Sequence, residues 1–273
     1  MMTSPLPRLE LAAWQPTRDT LQGYAKVLSR IRSALTPPQP HWQHISLRVS
    51  PDGLTTPPMP LPDGGHMDML LDLRQHRLVV DGTGAPWAME LTGQSPRAFG
   101  EAVVAKLAQQ GLTLALDLAT ASSEGVYDRR AVEDFRQALT FIHDVLAVFQ
   151  AGLAGKSTPI QLWSHHFDLA MTWFSGRKVP GYDPDDHEWA DEQMGFGFST
   201  GDGGIPDPYF YVTAYPWPEA IVQTPLPVPA TWHSEGWNGA VLLYEALLAT
   251  PDPERLLLDF LRTTQAAGAA RMT

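Results

Sequence analysis

The 273-residue chain contains no cysteine, which excludes disulfides, iron–sulfur ligation and thiolate zinc sites and leaves His, Asp and Glu as its metal-ligand repertoire. It is also short of positive charge. Its 19 Lys and Arg against 30 Asp and Glu give a formal net charge of -11, and without a local basic cluster such a surface repels phosphate backbones and anionic headgroups. Neither nucleic acid nor a membrane is an expected partner. No apolar run approaches the ~20 residues needed to span a bilayer, and the opening MMTSPLPRLELAAW has no basic stretch followed by an apolar one, so the cytoplasm is the default compartment. Long helical-bundle architectures are disfavoured too, because 25 Pro and 22 Gly break the chain into short elements joined by tight turns. What is present, 44% hydrophobic residues over this length, suffices for a core without covalent or metal staples.

The pattern predicts an α+β fold built from two similar halves. Ser95-Pro96 opens SPRAFGEAVVAKLAQQG and Asp252-Pro253 opens DPERLLLDFLRTTQAAG; each has an N-cap acceptor, proline at the first helical position and a glycine to terminate. Earlier in each half lies an amphipathic helix, with Leu21, Tyr24, Leu28, Ile31 and Leu35 on one face of the first and Val132, Phe135, Leu139, Ile142, Leu146 and Phe149 on one face of the second. Asp19 and Asp128 are the candidate caps. Strands are expected at His44 to Ser50 and His166 to Thr172, and again at His66 to Leu73 and Tyr209 to Tyr215 after the glycine-rich turns PDGG and GDGG. Each half thus reads strand, helix, antiparallel strands, helix, opening near Leu9 and near Leu112. That order resembles the duplicated helix-grip topology of TATA-binding-protein-like saddles, a likeness of topology and not of function. The expected division is residues 1–122 and 123–273, as two repeats or one continuous globule, with residues 178–193 (KVPGYDPDDHEWADEQ) as a polar insertion in the second.

Alternation along the strands points to polar residues that are not needed for a core. His44, Ser46 and Arg48 oppose Ile45, Leu47 and Val49, while His166, Asp168 and Thr172 oppose Phe167, Leu169 and Met171. Imidazole beside carboxylate suits acid–base chemistry, with His44 and Asp168 as candidate catalytic groups. The same donor types suit a divalent metal, with His166, Asp168 and Glu192 as candidate ligands. Adjacent His165 and His166 would point to opposite faces, so one alone could join Asp168. Lys156 and Arg177 are candidates for holding an anionic group, although Ala154-Gly155-Lys156-Ser157 lacks the glycine spacing of a phosphate loop. Aromatic residues crowd the second half, and Trp163 and Tyr211 are the ligand-stacking candidates among them.

With His41-Trp42 before His44, then Gly53-Leu54-Thr55-Thr56, His76, Gly155-Lys156, Phe167-Asp168-Leu169-Ala170 and Phe174-Ser175-Gly176-Arg177, the chain resembles an uncharacterised bacterial family known only as a domain of unknown function. The resemblance spans nearly the whole chain and implies no activity. Its pattern carries Gly-Ser where this chain has His165-His166, so a metal held by His166 would not be a family property. His41, His44, Lys156, Asp168 and Arg177 match the pattern. The leading expectation is a site for a polar or anionic small molecule where the halves meet, with His44 or Asp168 handling protons and His41, Arg48, Lys156, Arg177, Trp163 and Tyr211 binding. The alternatives are a non-catalytic module that uses the aromatic second half to bind a partner or its own twin, and a His/Asp divalent-metal enzyme.

Overall fold

A computed structural model describes residues 6–82 and 84–272. It is a mixed α/β protein with two antiparallel sheets. The helices are α1 Leu11–Leu35, α2 Pro96–Gln109, α3 Arg129–Ala151, α4 Tyr244–Leu248 and α5 Pro253–Ala269. The strands are β1 Arg48–Ser50, β2 Gly53–Thr55, β3 Met59–Pro60, β4 His66–Asp72, β5 Arg77–Asp81, β6 Trp87–Glu90, β7 Lys156–Ser157, β8 Gln161–Trp163, β9 Asp168–Lys178, β10 Asp191–Ser199, β11 Tyr209–Tyr215, β12 Thr231–His233 and β13 Gly239–Leu243. Among the described residues no helix is long and apolar enough to cross a membrane. The chain divides into two compact units, one formed by Ala12–Thr140 with Leu162–Phe167, the other by the described residues of Met1–Leu11, Phe141–Gln161 and Asp168–Thr273.

In the first unit the sheet runs β1-β2-β4-β5-β6, with β3 on β4. The expected face of α1 is the buried one: Leu21, Tyr24, Leu28 and Ile31 are fully enclosed. Tyr24 stacks on Phe99 of α2 at 4.2 Å between ring centroids. The two helices approach so closely that a Cβ on Gly23 would lie 2.5 Å from Cβ of Pro96, which makes glycine the residue that fits. Ser95 caps α2 by accepting the Ala98 N–H, Gly111 turns left-handed after it at φ 91°, and Asp128 caps α3 by accepting the Arg130 and Ala131 N–H groups.

Several expectations are corrected. Helix α1 starts at Leu11, not at Asp19, and takes Pro16 in an early turn; Asp19 pairs instead with Arg18 at 3.1 Å. The stretch expected as a strand from His44 begins as a 3-10 helix, Pro40–Ile45, and the strand covers only Arg48–Ser50. Proline at its first position favours that turn, the Gln39 N–H donates to His44 Nδ1, and the buried Arg32 guanidinium donates to the Gln43 and Ser46 carbonyls. Among the described residues no strand forms near Leu9 or Leu112.

In the second unit the sheet runs β12-β13-β11-β10-β9-β7. One face is apolar: Leu169 and Met171, Phe196 and Phe198, and Phe210 and Leu242 are buried. Phe149 of α3 packs on Phe196 at 4.9 Å, and α5 buries Leu257, Phe260 and Leu261. Asp252 caps α5 by accepting the Arg255 N–H. Gly268, expected to terminate that helix, lies within it, where a Cβ would come 2.5 Å from Met194 Sδ. Residues 178–193, expected as an insertion, are the connection of the β9–β10 hairpin, and their ends, Lys178 and Asp191–Gln193, belong to the strands themselves.

Candidate functional site

The opposite face of the second unit's sheet is polar and aromatic. Strand alternation puts Asp168, Ala170 and Thr172 of β9, Gly195, Gly197 and Ser199 of β10 and Tyr209, Tyr211 and Thr213 of β11 on that side, with Gly197 in register with both Ala170 and Tyr211. Two strand spacings, about 10 Å, separate β11 from β9. The Tyr211 side chain crosses that gap because Gly197 has no Cβ: one placed there would fall 2.7 Å from Tyr211 Cε1 and closer still to Cζ and the hydroxyl. Laid over the intervening strand, the phenol donates to Asp168 Oδ2 at 2.5 Å.

Asp168 is 9% exposed. Burial, and then the adjacent Asp168 carboxylate, raises the Tyr211 hydroxyl well above its ordinary pKa, so at neutral pH the phenol is a fixed proton donor to the carboxylate. A second pair lies beside it. Tyr209 donates to Asp202 Oδ2 at 2.7 Å, and its hydroxyl too is raised, by burial first and then by that hydrogen bond. Asp202 also accepts the Gly204 and Ile205 N–H groups, which fixes the turn before β11.

Aromatic rings pave the rest of this face. Trp237 lies over Gly239, whose Cβ would meet Trp237 Cε3 at 3.1 Å. Its ring centroid is 6.4 Å from those of both Tyr209 and Tyr211 and 4.6 Å from that of His233. Chemically this is a row of hydrogen-bond donors and acceptors flanked by flat apolar rings, a surface suited to a polar ligand with one hydrophobic side.

Three other candidates in the second unit lie far along β9 from Asp168. Arg177 lies at the far end of β9 from Asp168, on the order of 30 Å along an extended strand, where its guanidinium pairs with Glu192 at 2.7 Å and donates to the Met272 carbonyl. Lys156 is exposed on β7 opposite Phe174, about 20 Å along β9 from Asp168. These cations therefore do not converge on Asp168. Glu192, engaged by Arg177 at that far end, is likewise no neighbour of Asp168, and among the described residues no group of three His, Asp or Glu side chains converges as a metal site. His166 is not on a strand: it occupies the turn before β9, its ring 4.5 Å from that of His165, so the pair is not split between two sheet faces. Burial first, then His166 and Lys26, lowers the His165 pKa.

His41, His44, Arg48, Trp163 and His166 belong to the first unit. His41 and Trp42 both adopt left-handed backbone, and His44, 7% exposed, sits 5.7 Å from the Trp42 ring. Arg48 donates to Ser46 Oγ at 3.1 Å, with its pKa lowered by burial. Trp163 meets His165 edge-on at 6.1 Å.

Sequence reasoning named Asp168 and Tyr211 separately and missed Asp202 and Gly197. The signal was the Gly-x-Gly of β10, since glycine inside a strand marks a close approach by a neighbour's side chain.

A family model described as a family of unknown function (DUF5996) matches residues 6–273. The chain belongs to that family. No curated protein and no solved structure matches it. As a DUF5996 member it inherits no assigned site, and Asp168 and Tyr211 stand on their geometry alone.

Proposed function

We propose that the protein binds a polar small molecule on the aromatic face of its second unit, with Asp168, oriented by Tyr211, accepting a proton or hydrogen bond from it. The observation that carries this reading is the 2.5 Å bond from Tyr211 to the buried Asp168 carboxylate, reached across a strand that glycine has cleared. A carboxylate offers about four lone-pair sites, and the phenol occupies one of them. A ligand rich in hydroxyl or amine donors suits it better than an anionic one, because Lys156 and Arg177 lie far along the strand. The recurrence along the chain of a long helix, antiparallel strands and a proline-started helix supports descent of its two halves from one duplicated element.

Thermal melting against a panel of polyols, sugars and amines tests the function. A ligand at 100 times its Kd stabilises the fold by about 2.7 kcal/mol, and the shift should vanish in Asp168→Asn and shrink in Tyr211→Phe. A ligand that stabilises both variants as it does the parent would place binding elsewhere. No stabilisation across the panel would remove the reading.

A further inference from the structure

A second feature, at the far end of the sheet from Asp168, is the tip of the β9–β10 hairpin. Tyr182 and Trp189 are each 44% exposed there. Both pack edge-on against Tyr215 of β11, Trp189 at 5.2 Å and 68°, Tyr182 at 6.4 Å and 72°, and the Tyr215 hydroxyl donates to that of Tyr182 at 2.8 Å. Large aromatic side chains left this open cost hydration free energy and contribute little to a core.

The tip is built, and it is acidic. Asp186 Oδ1 accepts the Glu188 and Trp189 N–H groups at 2.9 and 3.0 Å, Asp183 Oδ1 accepts that of Asp185, and Lys178 Nζ donates to the Pro184 carbonyl. Backbone hydrogen bonds from Glu188 and Trp189 lower the Asp186 pKa. At the base, Lys178 pairs with Asp191 and Arg177 with Glu192. Those pairs engage the nearby lysine and arginine, His187 adds a small favourable charge beside Asp186, and Asp183, Asp185, Asp186 and Glu188 form no ion pair among the described residues. Three aromatic rings are thus held amid four carboxylates that make no ion pair among the described residues.

We propose that this tip docks a basic peptide segment of a partner protein, with lysine or arginine side chains lying on the exposed Trp189 and Tyr182 rings and paired with the surrounding carboxylates. Cations are attracted to aromatic faces by the ring quadrupole, and tryptophan and tyrosine anchors held in place before binding carry most of an interface's energy. Charge complementarity fixes the sign of the partner. Its size follows from shape: nearly all of residues 180–189 are exposed, and such a projecting tip cannot enclose most of a free small cation as a ligand cavity does, whereas a peptide can lie across it.

The test titrates the full chain with a fluorescent hexalysine peptide at low and moderate salt. Expected are measurable binding that weakens with salt, at least tenfold loss in Trp189→Ala, similar loss in Asp185→Asn/Glu188→Gln, and retention in Trp189→Phe. The control Asp63→Asn/Asp68→Asn removes the same charge from exposed positions in the first unit and should leave binding nearly unchanged. Thermal melting of each variant confirms that the fold is intact. Absent binding, binding that Trp189→Ala leaves intact, or equal loss in the control pair would overturn the proposal. So would displacement of hexalysine by low-millimolar tetramethylammonium, which would make the tip a small-cation site. Self-association abolished by Trp189→Ala would overturn it in favour of a second copy of the chain.

Discussion

Replacing Gly197 by alanine puts a methyl group where the Tyr211 ring lies, within 2.7 Å of Cε1 and closer to Cζ and the hydroxyl. The ring must lift off β10. Its hydroxyl, 2.5 Å from Asp168 Oδ2, cannot lift with it and keep that bond. The cost has two parts, roughly 1–3 kcal/mol for overpacking and about 1.5–3 kcal/mol for a hydrogen bond to a charged acceptor. Tyr211→Phe removes the second part and leaves the first untouched. In the double variant the hydrogen bond is lost only once, so its cost should fall short of the sum of the single costs by about 1.5–3 kcal/mol. Urea unfolding with unchanged m values measures all four corners of this cycle. Independent sites add to within roughly 0.3–0.5 kcal/mol; additivity at that level would refute the claim that Gly197 serves to let Tyr211 reach Asp168.

Other outcomes follow from the same contacts. The Glu133 carboxyl, held at about 2 chiefly by its hydrogen bond to Arg136, contributes stability that is present above its unfolded pKa near 4.5 and is lost as pH falls toward 2; in Arg136→Ala an NMR titration should find that carboxyl back near the ordinary range. Tyr211, Tyr209, Tyr24 and Tyr127 are all raised above 10, by burial first in each case, so their contribution is complete below pH 10 and declines as pH climbs above it, where the unfolded chain ionises first. Tyr211→Phe should flatten that alkaline decline, and an unchanged slope of Tm against pH would contradict the assignment. Asp128→Ala should cost about 1 kcal/mol in chemical unfolding through loss of the α3 cap.

Where local chemistry decides structure, the sequence was legible. The Ser95-Pro96 and Asp252-Pro253 caps, the stripe from Val132 to Phe149 and the strand from Tyr209 to Tyr215 all stand as expected, because each rests on contacts within a few residues or on periodicity sustained over several turns. HISLRVS alternates as a strand should, yet its first residues turn, because Pro40 opens a 3-10 helix and Arg32, eleven residues before Gln43 in the chain, holds its carbonyl. Seven alternating residues are too weak a pattern to outweigh a buried guanidinium and a proline.

The site was half legible for a different reason. Alternation along β9 does place Asp168 on the face opposite Leu169, and the consecutive aromatics of β11 do require rings on both faces. Neither fact tells which strand lies between them. Only once β10 is seen to separate β9 from β11 do Gly195 and Gly197 become the gap through which Tyr211 reaches Asp168, and only then does the extended course of β9 carry Arg177 away from the residue it seemed to accompany. Closeness in sequence misleads along a strand, where each residue adds about 3.3 Å, while residues on strands two apart in a sheet lie about 10 Å from each other, within reach of a tyrosine. The candidate site accordingly gained Asp202, Gly197 and Trp237 and lost Lys156 and Arg177, which weakens the case for an anionic ligand.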